Sequence, residues 1–217
     1  MTSHWSDYVL SSLGIGLLLA CAGGLLWLAH PWLVAALGSH HVLADLALGL
    51  LAYGLLSALL LRLLLRWRPM PLGAHGPDAA AFTYWKLLNV VYRLGQASIG
   101  WCLPFFLRPL RDALFGARIG PDVAFGGTID DPFLVTVGAG TVLGNASLVT
   151  GNYLSGGKLV CQPVHIGSGV TVGANAIVMP GVTIGDGATV MSGAVVMPGT
   201  TVPAGESWRG NPARKWA

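Results

Sequence analysis

None of the 12 Lys and Arg residues of this 217-residue chain precedes Arg62. No Asp, Glu, Lys or Arg occurs from Tyr8 to Ala44, or again from Leu46 to Leu61. Charged residues make up only 10% of the chain, against about 25% in soluble domains. The missing basic start argues against a secretory signal peptide, and with it against reading Leu18-Leu19-Ala20-Cys21 as a lipoprotein cleavage site. Cysteine is equally sparse. Cys21, Cys102 and Cys161 stand far apart with no CxxC pairing, which excludes a thiolate zinc site and a disulfide framework. The net charge of +3 comes from a local collar of cations, and no nucleic-acid-binding motif accompanies it.

What replaces charge is apolar length. A bilayer core takes about 20 apolar residues per helix. The uncharged runs therefore predict two spanning helices, roughly residues 8–29 and 42–65, joined around His30-Pro31 and Gly38-Ser39. Residues 1–68 read as a transmembrane helical hairpin in the lipid bilayer. Arg62, Arg66, Arg68, Lys86, Arg93, Arg108, Arg111 and Arg118 follow in quick succession, and the positive-inside rule places them in the cytoplasm. The expectation is a multi-pass protein of the cytoplasmic (inner) membrane, with its C-terminal half on the cytoplasmic side. Gly16, Ala20 and Gly24 form a small-xxx-small row suited to close helix contact, within the hairpin or with another copy. His30, His40, His41 and Asp45 gather near the outer end. Metal binding is weighed there against ordinary turn polarity, and the ordinary reading is preferred, so no metal ligands are assigned.

Residues 69–116 read as a loop followed by interfacial amphipathic helices. Pro69 to Pro77 carries too much Pro and Gly for a helix. Residues 82–115 mix aromatic rings with Lys86, Arg93, Arg108 and Arg111, which suits helices in the headgroup region. A packed pair of connector helices is the alternative. The apolar stretch 99–107 is too short to span and is interrupted by Pro104, which leaves partial insertion open.

The C-terminal half has a different rhythm. Every sixth residue from Val160 gives Val160, Ile166, Val172, Val178, Ile184, Val190, Val196, Val202 and Trp208. The beat also runs through Ile119, Phe125, Val137, Leu143 and Val149, with Asp131 off pattern. A six-residue period fits neither a helix nor an ordinary strand, and is the signature of a parallel β-helix. Residues 117–217 fill about five coils at three hexads per turn. The step from Val149 to Val160 spans eleven positions, so 150–159 is expected to loop out while winding resumes in register. Loops on a rigid scaffold are where chemistry tends to sit.

The stretch from Val164 to Ala217, ending in Gly210-Asn211-Pro212-Ala213-Arg214, resembles the end of hexapeptide-repeat acyltransferases, whose fold is a left-handed parallel β-helix. Trp85-Lys86, the approach from Arg111 to Gly120, the run Asp131–Gly138 and Trp208 further resemble a membrane-bound module. That module closes poly-lysine-synthetase-like nonribosomal peptide synthetases and has free-standing relatives. The resemblance implies a homotrimer with active sites between neighbouring prisms, and acetyl-CoA or another acyl-CoA as co-substrate. It implies backbone contacts near Ala174 and Ser192, and cations at Arg214 and Lys215 for the phosphates. The general base of such enzymes is a His in the looped-out segment, and here Asn152 holds that position. Asn has no useful pKa and can only orient or hydrogen-bond. His165, the sole His of the β-helix, is expected to face outward and is the substitute base; a surface or trimer contact is its other reading. Asp130 and Asp131 form a weaker pair, read more readily as a turn. A γ-carbonic anhydrase, which shares the fold, needs three His on the prism and is excluded.

The expected function is a membrane-anchored acyl-CoA-dependent acyltransferase, transferring an O- or N-acetyl group to a membrane-proximal acceptor such as a lipid-linked sugar or peptide. The rival is a catalytically silent trimeric scaffold, or an accessory module of a membrane-associated biosynthetic system.

Overall fold

The computed structural model describes residues 5–216, which divide into two compact units. Within them, one comprises residues up to Met70 with Asp78–Leu107, and the other Pro71–Pro77 with the described residues from Arg108 onward.

The first unit is helical. Helix α1 runs Trp5–Leu37, a 3-10 turn covers Gly38–His40, and helix α2 runs His41–Trp67. The break comes at Gly38, whose φ of +54° is the left-handed conformation that glycine adopts without steric cost. The expected interruption at His30-Pro31 does not occur, because α1 continues through Pro31. Proline removes one backbone donor, which an otherwise regular helix can absorb. Asp7–Trp67 forms an apolar helical stretch of 61 residues, long enough to cross a membrane by length and composition. Leu18 and Ala22 of α1 share a buried cluster with Ala52 and Tyr53 of α2. The Gly16–Ala20–Gly24 row lies elsewhere, exposed, with open space where a Cβ on Gly16 or Gly24 would project.

Helix α3, Ala80–Gly100, buries Phe82, Leu88, Val91, Tyr92 and Ile99. It is a packed member of the helical unit. The sequence shows its aromatic and cationic residues but not which side they bury. At Gly54 a Cβ would lie 2.2 Å from Ile99 Cγ1, so only glycine allows α2 and α3 this approach. Tyr84 Oη lies 2.9 Å from Leu64 O, which also accepts from Arg68 N, and 2.7 Å from Arg68 O, just past the end of α2. Lys86 Nζ pairs with Asp7 Oδ2. Helix α4, Arg108–Leu114, belongs to the second unit; its Asp112 is buried against Arg111, and burial raises that carboxyl above its ordinary pKa while Arg111 opposes the shift.

The second unit is a parallel β-solenoid of five turns whose strands form three sheets. One stacks Arg118–Ile119, Val135–Val137, Val164–Ile166, Thr183–Ile184 and Thr201–Val202. A second stacks Ala124–Phe125, Val142–Leu143, Thr171–Val172, Thr189–Val190 and Ser207–Arg209. The third holds Thr128–Asp130, Leu148–Thr150, Ile177–Val178 and Val195–Val196. The hexad aliphatics line the interior in register, as in Ile119–Val137–Ile166–Ile184–Val202. Each turn caps its neighbour's apolar layer, which is how a repeat too small to hold a core alone becomes stable. At the corners backbones nearly touch. A Cβ on Gly144 would sit 2.6 Å from Ala174 N.

Two irregularities differ from the expected winding. In the first turn Ile129, not Asp131, fills the interior position opposite Val149. Asp131 adopts a φ of +52° and starts the 3-10 turn Pro132–Leu134, which absorbs the residues displaced from the beat. The second concerns the excursion. Asn152–Ser155 and Lys158–Cys161 form an antiparallel hairpin, and winding resumes at Val164, later than Val160. Gly156 and Gly157 both take positive φ, +55° and +75°, the condition of a two-residue type I′ turn. Gly73–His75 pairs with the hairpin's second strand, Ala74 opposite Val160. The supposed loop at Pro69–Pro77 thus contributes an edge strand.

Candidate functional site

The excursion is anchored by polar groups at its base. Gly151 presses against the preceding turn, where a Cβ would come within 2.7 Å of Leu134 Cβ. Next to it, Asn152 accepts a hydrogen bond at its carbonyl from Thr150 Oγ1 at 2.9 Å. Its side-chain Nδ2 donates to Asp131 Oδ2. Asp131 is fully buried, whereas Asp130 remains half-buried on its strand, so the doubled acid is split between two environments. Cys161, paired opposite Asn152, completes the base. Burial, reinforced by the nearby Asp131 charge, pushes its thiol up to about 12. It stays protonated at neutral pH and is no nucleophile.

The other candidates lie elsewhere on the solenoid. His165 is exposed between buried Val164 and Ile166, with Thr136 and Thr183 as ladder neighbours. Ala174 and Ser192 do share one corner. Ser192 N lies 2.4 Å from where a Cβ on Gly173 would stand, and Ala174 O accepts from Gly193 N at 2.8 Å. Arg214 and Lys215 are exposed on an antiparallel strand that closes the last turn against Ser207–Arg209. Asn152 on the excursion hairpin and His165 on the first sheet thus stand apart from the second sheet, which carries both the strands that lead into the Ala174–Ser192 corner and the terminal cations.

Glu206 escaped the sequence reading. Its carboxylate accepts from Lys215 Nζ at 2.7 Å and from Trp208 Nε1 at 2.9 Å. Those two donors, Lys215 first, hold the Glu206 carboxyl below its ordinary pKa. Arg209 stacks over Trp216 at 5.0 Å. Lys215 is therefore engaged, while Arg214 donates to its neighbour's carbonyl, Ala213 O, at 3.1 Å. No motif marks Glu206, because its partners become adjacent only when the chain reverses.

The helical unit carries an apolar groove of about 580 Å³, lined by Leu19, Leu26, Leu50, Leu94 and Trp101, with Asp45 among its few polar residues. His30 and His41 converge on that same Asp45, and His40 stands outside the cluster.

Fold and repeat together define a hexapeptide-repeat β-solenoid. Residues 163–202 match the family described as bacterial transferase hexapeptide (six repeats). No curated protein matches the chain. Among solved structures, one similar chain is a hexapeptide-repeat acetyltransferase from Vibrio cholerae O1 biovar eltor in complex with acetyl coenzyme A. It shares 25% identity over 47% of this chain and 60% of that one, at a TM-score of 0.44. A galactoside acetyltransferase in complex with coenzyme A shares 25% identity over 47% of this chain and 55% of that one, at a TM-score of 0.43. A maltose O-acetyltransferase from Clostridium difficile 630 shares 19% identity over 78% and 95%, at a TM-score of 0.38. The chain thus spans less than two thirds of the first two.

Proposed function

We propose that the protein is an acyl-CoA-dependent acyltransferase held at the cytoplasmic face of the inner membrane. The observation that carries this reading is the six-repeat transferase segment at residues 163–202, built into a five-turn solenoid on the same chain as a 61-residue apolar helical stretch. In this reading α1 and α2 cross the bilayer as a hairpin, and the cations from Arg62 onward stay in the cytoplasm. The solenoid assembles as a left-handed, homotrimeric prism. Acetyl-CoA or a longer acyl-CoA lies along the corner of Ala174 and Ser192, with Arg214, and Lys215 after exchange from Glu206, facing its phosphates.

The reaction moves an acyl group from sulfur to an acceptor oxygen or nitrogen. The acceptor attacks the thioester carbonyl and gives up its proton to a base; the carbon–sulfur bond breaks and CoA leaves as the thiol. Asn152 cannot take that proton, since its amide has no basic nitrogen. His165 supplies the base from the outer face of a neighbouring protomer, and Asn152, oriented by Asp131, positions the acceptor. A membrane-proximal acceptor, a lipid-linked sugar or peptide, fits a solenoid tethered to the bilayer.

The test is acyl-CoA binding by the full chain in detergent, measured by calorimetry with acetyl-CoA and longer thioesters. Binding that weakens in Arg214→Ala supports the reading, and failure to bind any CoA thioester sinks it. The second reading, a catalytically silent trimeric scaffold, draws on the Asn152 amide being committed to buried Asp131. It predicts acyl transfer by neither the wild-type chain nor His165→Ala.

A further inference from the structure

The turn between α1 and α2 brings His30, His41 and Asp45 together, with candidate ligand atoms all within 4.8 Å of one another. His30 Nδ1 lies 2.9 Å from Asp45 Oδ2, and His41 Nε2 lies 4.0 Å from the same oxygen. The His30 and His41 rings meet edge to face, their centroids 5.3 Å apart.

Three details go beyond ordinary turn polarity. First, His41 Nδ1 sits 2.8 Å from Gly38 O, and a carbonyl only accepts. Nδ1 therefore carries a proton, so in the neutral ring Nε2 is the nitrogen with a lone pair, 4.0 Å from Asp45 Oδ2. Fixing a ligand imidazole through its other nitrogen is the usual outer arrangement of a metal-bound His. Second, a lone pair and a carboxylate oxygen facing one another repel unless a cation or proton lies between them. Third, Asp45 Oδ1 is buried with no hydrogen-bond partner. A buried carboxylate oxygen without a donor calls for a specific cause.

We propose that His30 Nδ1, His41 Nε2 and the Asp45 carboxylate bind a single divalent first-row transition-metal ion of the zinc class. Two imidazoles and one carboxylate are borderline ligands that suit zinc, cobalt or nickel and leave a fourth position for water. Tetrahedral bonds of about 2.0–2.1 Å place ligand atoms about 3.3 Å apart. The 2.9 Å and 4.0 Å separations to Asp45 bracket that value, and the third pair, the two imidazoles, lies within 4.8 Å, so modest side-chain shifts complete the set. Gly38, with its left-handed backbone and its carbonyl on His41, holds the frame. The ion ties the end of α1 to the start of α2, independently of any acyl transfer by the solenoid.

The test uses the full chain in detergent, without a histidine tag, stripped with chelator and titrated with Co²⁺ and then Zn²⁺. The expected result is an equimolar uptake of cobalt with the intense visible absorption of a tetrahedral site, displaced by zinc. His41→Ala and Asp45→Asn should each weaken binding by more than the about 10- to 100-fold that loss of an outer-shell partner costs. His75→Ala, in the other unit, should leave it unchanged. No equimolar uptake by the wild-type chain overturns the proposal, whatever the variants do. Uptake that survives both ligand substitutions overturns it equally.

Discussion

Asn152 donates its side-chain amide to the buried carboxylate of Asp131, 21 positions earlier in the chain. The bond joins the base of the excursion hairpin to the one place where the first solenoid turn leaves the six-residue beat. Position 152 thus holds a side chain whose donor is already committed, where the resemblance led to a base. Asn152→Ala removes one donor from a buried carboxylate, which costs about 1–3 kcal/mol. For a chain of this size each kcal/mol lowers Tm by about 2–4 °C. Calorimetry of the two proteins checks it, and an unchanged Tm means that the bond contributes nothing net.

Cys161 gives the hairpin base a pH signature. Its thiol is raised from 9.0 to about 12 in the folded state, by burial and then by Asp131. The folded protein keeps that proton at pH values where the unfolded chain has lost it. The stabilisation is complete below about pH 9 and disappears as pH rises toward about 12. Tm measured across that window should fall less steeply in Cys161→Ala than in the wild type. Parallel curves would refute the assignment. Thiol alkylation at pH 8 should spare buried Cys161 in the folded protein and modify it once the protein is denatured.

The hairpin turn depends on glycine for a reason that can be separated from flexibility. Gly156 and Gly157 both sit at positive φ with open space around a Cβ. Asn tolerates the left-handed region and β-branched residues do not, so Gly156→Asn should keep the hairpin and Gly157→Val should break it. Amide exchange reads the difference. In Gly157→Val the amides of Tyr153, Val160 and His75 should lose protection together, because Gly73–His75 pairs only through that edge. Loss of protection confined to the turn would contradict the pairing.

These elements also mark how far the sequence could be read. Ile166, Val172, Val178 and the hexads after them were legible because period six admits one architecture and every interior position is apolar. Ile129 was not, since the beat alone cannot reveal that the turn after Phe125 is shortened and repaid by the 3-10 turn at Pro132–Leu134. The strand at Gly73–His75 was hidden because its partners are some 85 residues away, and Pro and Gly nearby read locally as loop. At the solenoid sites residue identity gave the candidates but not their placement. The alternation of Val164 and Ile166 correctly turned His165 outward, whereas nothing linear showed that Asn152 meets Asp131 or that Glu206 holds Lys215. The uncharged runs located the helices, and the exact break at Gly38 became visible only through its backbone conformation.

The helical unit has one position where a single methyl group decides packing. A Cβ at Gly54 would lie 2.2 Å from Ile99 Cγ1 and 3.0 Å from Gly95 O. Ile99 is buried and β-branched, so it has little room to turn aside. Gly54→Ala should therefore destabilise the contact between α2 and α3 by about 1–3 kcal/mol, the range for overpacking a tight interior. Gly16→Ala makes the matched comparison, since that site has open space and an exposed helical position. Thermal unfolding in detergent, followed by helical circular dichroism, should lower the midpoint for Gly54→Ala and leave Gly16→Ala at or above the wild type. If Gly16→Ala instead loses stability while Gly54→Ala does not, the exposed Gly16–Ala20–Gly24 row, and not the Gly54–Ile99 crossing, is where the helices meet.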